Sequence, residues 1–247
     1  MKIRAEGWAT VIGLAMLCCG LPALGQSVVS VQFTGGYTTT WGNSGGDYGA
    51  GIYSANINGA PSASGIICDD FNDEIWAGES WKASAYQASS LASGNIGSTL
   101  FGNTIGLTGY AEVATLVSMM FSGTPLTSYG SITGVTQAEL SSAIWDITTP
   151  GGISGLDAKA LSLVAAVESA FTGNVAGATA YLDSLTNVWI LTPDPLTGVG
   201  SGEPQEMWTE SVPEGGAAFM FLLFAGAACF GAMFFRYRSE FANRGLA

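Results

Sequence analysis

The chain has 247 residues, 48% of them hydrophobic, with 19 Asp and Glu against 7 Lys and Arg and a formal net charge of -12. It contains no His, which removes the common general base near neutral pH and the commonest transition-metal ligand, so Ser-His-Asp and Cys-His catalysis and His-based zinc sites are excluded. Between residues 26 and 214 the 17 acidic side chains meet only Lys82 and Lys159 as cations; such a field repels phosphate backbones, and nucleic acid is excluded as a partner.

At the N-terminus, Lys2 and Arg4 precede an apolar stretch over 8–21, and Ala23-Leu24-Gly25 supplies small residues suited to cleavage. Residues 1–25 are therefore expected to be a signal peptide removed by signal peptidase. Cys18 and Cys19 fall inside it. The following 26–191 is long enough for one domain. It opens with β-like segments: 27–34 is rich in Val, 50–57 alternates around Ile52, Tyr53 and Ile57, and 65–68 reads as a buried strand. From about residue 80 the pattern turns helical. Tyr110, Val113, Ala114, Val117, Met120 and Phe121 recur at helical spacing, with Glu112, Thr115 and Ser118 expected on the exposed side.

Thr136 and Glu139 form a capping-box signature ahead of Leu140, Ala143, Ile144 and Ile147. A third helix is expected over 156–171, a fourth over 176–185, and a returning strand over 187–191. Strands first, helices in the middle and a closing strand predict an α+β domain. From 192 to 211 the chain is rich in Pro, Gly and Glu, which reads as a flexible linker.

The last segment, 212–247, begins Val212-Pro213-Glu214-Gly215-Gly216 and continues into an uncharged run over 215–235. As a helix these 21 residues span about 31 Å, the thickness of a hydrocarbon core. Arg236, Arg238 and Arg244 follow, within the tail 236–247, while Glu203, Glu206, Glu210 and Glu214 precede. A transmembrane helix over 215–235 with its basic end cytoplasmic is the expected topology, Arg236 and Arg238 acting as the stop-transfer signal.

Motif, helix and arginines together resemble the C-terminal sorting signal of PEP-CTERM proteins, the exported substrates of exosortases. Val212, Pro213 and Glu214 match that family's motif, Gly215 stands where a second proline is usual, and the tail runs on from Ser239 to Ala247. The resemblance implies an exosortase as processing partner and a transient stay in the inner membrane. A permanently anchored single-pass protein is the alternative reading of the same helix.

Outside the leader and the C-terminal segment Cys68 is the sole thiol, which leaves intermolecular pairing, a reactive site or a small buried side chain open. Asp69, Asp70, Asp73 and Glu74 follow it. Paired carboxylates can hydrolyse glycosides and oxygen ligands can hold calcium, but the spacing lacks a calcium loop's pattern, and a solvated acidic turn is expected. Cys68-Asp69, with Gln137 and Ala143-Ile144-Trp145 about seventy residues later, is similar to the thioester domains of bacterial surface adhesins. That similarity implies a covalent bond between Cys68 and Gln137, although the family's Gln lies four residues before the Trp, where this chain has Ser141. Trp41, Tyr48 and Tyr53 are aromatic residues that either stack on sugars or anchor loops.

The combined expectation is a non-enzymatic protein without a cofactor, exported to the cell surface or exopolysaccharide matrix. The rival expectation is a covalent adhesin built on Cys68 and Gln137.

Overall fold

The computed structural model describes residues 26–43, 46–123, 132–149, 151–194 and 204–212. Contacts divide the chain into two units, Met1–Ser211 and Val212–Ala247. The expected leader over 1–25, the motif residues Pro213, Glu214, Gly215 and Gly216, the membrane helix over 215–235, and Arg236 and Arg238 lie outside the described residues.

Seven strands form one antiparallel sheet: β1 (Gln26–Asn43), β2 (Gly46–Ile57), β3 (Ala60–Pro61), β4 (Ile67–Cys68), β5 (Ser80–Gln87), β6 (Trp189–Pro193) and β7 (Met207–Thr209). Their order is β3-β2-β1-β5-β6-β7-β4. A bridge between Tyr53 of β2 and Ile66 carries the β4 end back to β2. The sheet therefore closes on itself, satisfying backbone groups that an open edge would expose. Four helices, α1 (Gly102–Ser122), α2 (Gln137–Thr148), α3 (Ala158–Phe171) and α4 (Val175–Ser184), supply the second layer among the described residues. The domain is α+β, as the sequence pattern predicts.

Side-chain alternation explains which face meets the helices. Registers Val29↔Ala83, Ala85↔Leu191, Leu191↔Met207 and Cys68↔Met207 place one set of small and apolar side chains on the inner side of the closed sheet. The alternate set includes Tyr86, Ile190, Trp208 and Ile67, which belong to the core shared with the helices. The predicted capping box is present: Thr136 Oγ1 accepts from Glu139 N–H at 3.2 Å, and the Glu139 carboxylate accepts from Thr136 N–H at 2.5 Å. Two reciprocal bonds fix the start of α2.

Three expectations need correction. Residues 80–87 form β5 and not a helix; pairing with β1 on one side and β6 on the other outweighs the weak strand preference of its Ala and Lys residues. The described residues of the segment 192–211 do not form a free linker, because Thr192 and Pro193 extend β6 and Met207–Thr209 form β7, with Glu206, Met207, Trp208 and Thr209 fully buried. Only Glu210 and Ser211 separate β7 from Val212. Finally, Glu112 and Thr115 are buried. Helix α1 sits centrally in the fold and contacts α2, α3 and α4, so it presents little surface to water. Among the described residues α1 is the one continuous helix long and apolar enough to cross a bilayer, yet Tyr110, Val113, Leu116, Val117 and Met120 pack in the core. Gly106, at φ 64° and ψ -169°, breaks its first turns, a conformation that a residue without Cβ adopts readily.

Candidate functional site

Strands β2 and β4 meet at one rung. Tyr53 N–H donates to Ile66 O at 2.8 Å and Ile66 N–H donates to Tyr53 O at 2.9 Å. In an antiparallel ladder the next such rung would join Gly51 to Cys68. Helix α2 occupies that place. Ser141 Oγ accepts from Gly51 N–H at 2.8 Å, and Trp145 Nε1 donates to Cys68 O at 3.2 Å. One turn on, the Thr148 hydroxyl donates to Asp69 O. Side chains from successive turns of one helix thus replace the missing ladder bonds, and the seam between the strands is held open. Gly51 permits the close approach: at φ +86° a Cβ there would overlap Thr38 Oγ1 and crowd Gln137 Oε1.

Trp145 is the α2 side chain that bonds the Cys68 strand, whereas Ser141 bonds Gly51 of β2 and Gln137 also lies at Gly51. The Gln137 amide oxygen accepts from the Thr38 hydroxyl, eight residues and about 12 Å of axial rise before Trp145. Cys68 Sγ instead donates to Asp70 O at 3.0 Å and accepts from Asp70 N–H at 3.3 Å. Burial pushes the thiol well above its usual range, and the Asp70 and Asp69 charges push it the same way. The thiolate needed by a nucleophile is therefore disfavoured. Of the three roles left open by the sequence, Cys68 fits the small buried side chain.

Beside the open seam lies a cavity of about 580 Å³. Register shifts in β1 between Phe33 and Thr39 bend that strand at the cavity wall. Phe33 and Tyr53 meet edge to face at 5.8 Å, and Tyr53 donates to Gly49 O at 2.6 Å. On another wall Phe71 lies 5.0 Å from Tyr48 and 5.5 Å from Trp145. Trp41, grouped in sequence with Tyr48 and Tyr53, packs behind them against Trp145 at 5.9 Å. Trp41 is a buried core residue of β1 and anchors no loop, whereas Tyr48 and Tyr53, both on β2, line the cavity.

Alternation along 68–70 sends neighbouring side chains to different places. Cys68 and Asp70 line the cavity, whereas Asp69 turns toward the helices and accepts from Trp208 Nε1 at 2.6 Å. There it meets Glu206, which accepts from Leu100 N–H at 2.8 Å and from the Tyr110 and Thr192 hydroxyls. Burial pushes Asp69 well above the ordinary carboxyl range, and the Glu206 charge adds to it. Glu206 is also raised by burial, against the opposing pull of its donors. Two carboxyls in contact, away from water, are most stable sharing a proton. Asp70 forms a second such pair with Asp73; burial first, then Asp73, raises it to about 8.

The expected solvated acidic turn is thus a correction: Asp69, Asp70 and Asp73 are buried, and only Glu74 is exposed. Among the described residues no group of three or more His, Cys, Asp or Glu is arranged to hold a metal ion. Glu206 escaped the sequence reading because it lies in the segment taken as a linker. Trp208 was the available signal, since a large aromatic side chain in a Pro- and Glu-rich stretch has most to gain from burial.

No protein-family model, curated protein or solved structure matches this chain.

Proposed function

We propose that the chain is an exported, non-catalytic protein of the cell surface or extracellular matrix, sorted and processed through its C-terminal segment by an exosortase. The observation that carries this reading is the order of features in the sequence: Val212-Pro213-Glu214, then an uncharged membrane-length run, then Arg236 and Arg238. A division of contacts between Ser211 and Val212, at the first residue of the motif, supports a tail distinct from the domain. The acidic, His-free domain supports a role outside catalysis and suits a hydrated polysaccharide surrounding.

In this reading Pro213, which has no N–H to give a helix, keeps the chain ahead of the membrane helix extended at the lipid boundary, where a membrane-embedded transpeptidase reaches it. Replacing Pro213 and Glu214 with Ala leaves the full-length precursor in the inner membrane, as read by fractionation and immunoblotting in an exosortase-bearing host. Mature-sized protein outside the cell in that variant contradicts the assignment.

A further inference from the structure

Among the described residues two large aromatic side chains are left mostly in water, Trp76 at 67% and Tyr37 at 53%, and both line the cavity beside the open seam. Each ring stands on a fixed backbone. Glu79 N–H donates to Trp76 O at 3.0 Å, and Trp76 N–H donates to a Glu79 carboxylate oxygen at 2.8 Å, which closes a turn around Trp76. That turn is stitched to β1, where Gly78 N–H donates to Phe33 O at 2.8 Å and Phe33 N–H donates to Glu79 O at 2.9 Å. Tyr37 rests on the bare backbone of Gly49, where a Cβ would come within 2.8 Å of the ring. Holding a ring in water forgoes the free energy of burying it, and a braced backbone keeps it from collapsing onto the core.

Behind these two rings the wall continues with Phe33, Tyr48, Tyr53, Phe71 and Trp145. The space, about 580 Å³, falls within the ~300–1,000 Å³ usual for a small-molecule site. Its chemistry narrows the occupant. No Lys or Arg lines it, so an anion finds no partner. The inner carboxyls, Asp70 and Asp73, are buried and bonded to each other, so a cation finds no open acceptor among the rings, and an ion pair with the solvated Asp47 or Glu74 is weak. Those two exposed carboxylates accept hydrogen bonds and donate none; an aliphatic ligand covering them would leave them unpaired. The fit is to a neutral body with flat C–H faces for the rings and O–H donors at its edge.

We infer that this cavity binds a neutral pyranose segment of a polysaccharide, stacked on the Trp76 and Tyr37 rings with its hydroxyls donating to Asp47 and Glu74. The inference deepens the proposed place in the matrix and rests on that reading for the source of the glycan; the binding itself is independent of the tail.

Isothermal titration calorimetry at pH 6 on the full-length chain, held in a polyoxyethylene detergent without sugar headgroups, compares five probes. Hexasaccharides of β-1,4-linked glucose, mannose and galactose are neutral, a glucosamine hexamer is cationic and a mannuronate hexamer is anionic. At least one neutral hexasaccharide gives a saturable heat and binds at least about tenfold more tightly than both charged probes, and the best of the three identifies the sugar. Trp76→Ala and Tyr37→Ala, at exposed positions that leave the core intact, each weaken it about threefold to tenfold, the loss of one stacking contact. Trp76→Phe, which keeps a ring, binds more tightly than Trp76→Ala. Absence of saturable binding by every neutral probe overturns the inference, as does a charged probe matching the best neutral one, or affinity unchanged in both alanine variants. A failure here leaves the sorting reading standing, and a tail that is never processed leaves the calorimetry unchanged.

Discussion

Asp70 provides the sharpest test of the buried carboxyl groups. Its carboxyl is raised from 3.8 to about 8 in the folded domain, so the folded state keeps a proton that the unfolded chain releases. Its contribution to stability is fully present below pH ~4 and is lost as pH rises toward 8, at about 1.4 kcal/mol per pH unit. Between pH 5 and 7 this group, with its partner Asp73, removes on the order of 2–3 kcal/mol. Asp69 and Glu206 are displaced in the same direction, and burial raises Glu112 to about 7, so the parent protein loses stability more steeply than Asp70 alone dictates.

Urea unfolding followed by tryptophan fluorescence at pH 5, 6 and 7 measures the slope. Asp70→Asn keeps the acceptor that Asn72 N–H uses and removes the proton. Its stability therefore falls less steeply by about 1.4 kcal/mol per pH unit, or ~0.7 M in urea midpoint for a dependence near 2 kcal/mol per molar. A parent stability that is flat or rising from pH 5 to 7, or an equal slope in the two proteins, would refute the claim that Asp70 is held protonated by the fold.

Two other substitutions test the seam and the last strand. Trp208→Ala removes a fully buried ring and the donor to Asp69, and a loss of about 3–5 kcal/mol is expected in chemical unfolding; a loss below ~1 kcal/mol would return β7 to the status of a linker. Ser141→Ala leaves Gly51 N–H buried without its acceptor, for a cost of about 1–3 kcal/mol by thermal unfolding, whereas Gln137→Ala at the partly exposed start of α2 costs under ~0.5 kcal/mol. Equal effects at the two positions would count against α2 as the replacement for the missing rung.

The parts of the fold legible in the sequence are those decided within one element. The Thr136–Glu139 capping box, the α2 stripe and the strands around Val29 and Tyr53 follow from periodicity and local hydrogen bonding, which neighbours along the chain determine. Residues 80–87 were misread because their small, mixed side chains carry little preference of their own and become a strand only between β1 and β6. The 192–211 segment was misread because composition describes an average, while its single Trp and three-residue strand decide its place.

The candidate site divides in the same way. The thioester resemblance grouped Cys68 with Gln137 and with Ala143-Ile144-Trp145; the structure joins Trp145 to Cys68 and leaves Gln137 with Thr38. The sequence did not show that Gly51, Ser141, Tyr53 and Glu206 complete the surroundings, because these come from separate strands and a helix joined only by the closure of the sheet.

The sequence by itself determined the absence of His chemistry, the negative field, the α+β class and the order of motif, apolar run and arginines, because each depends on residue type or on spacing along one segment. Only the tertiary structure decided that Asp69 and Asp70 face opposite ways, that Glu206 and Trp208 are core residues, and that α2 opens a seam beside an acidic aromatic cavity. Burial and hydrogen-bond partnership are properties of residues brought together from distant parts of the chain. A carboxyl group that composition counts as solvated charge is therefore turned into a proton-holding core group by its neighbours in space.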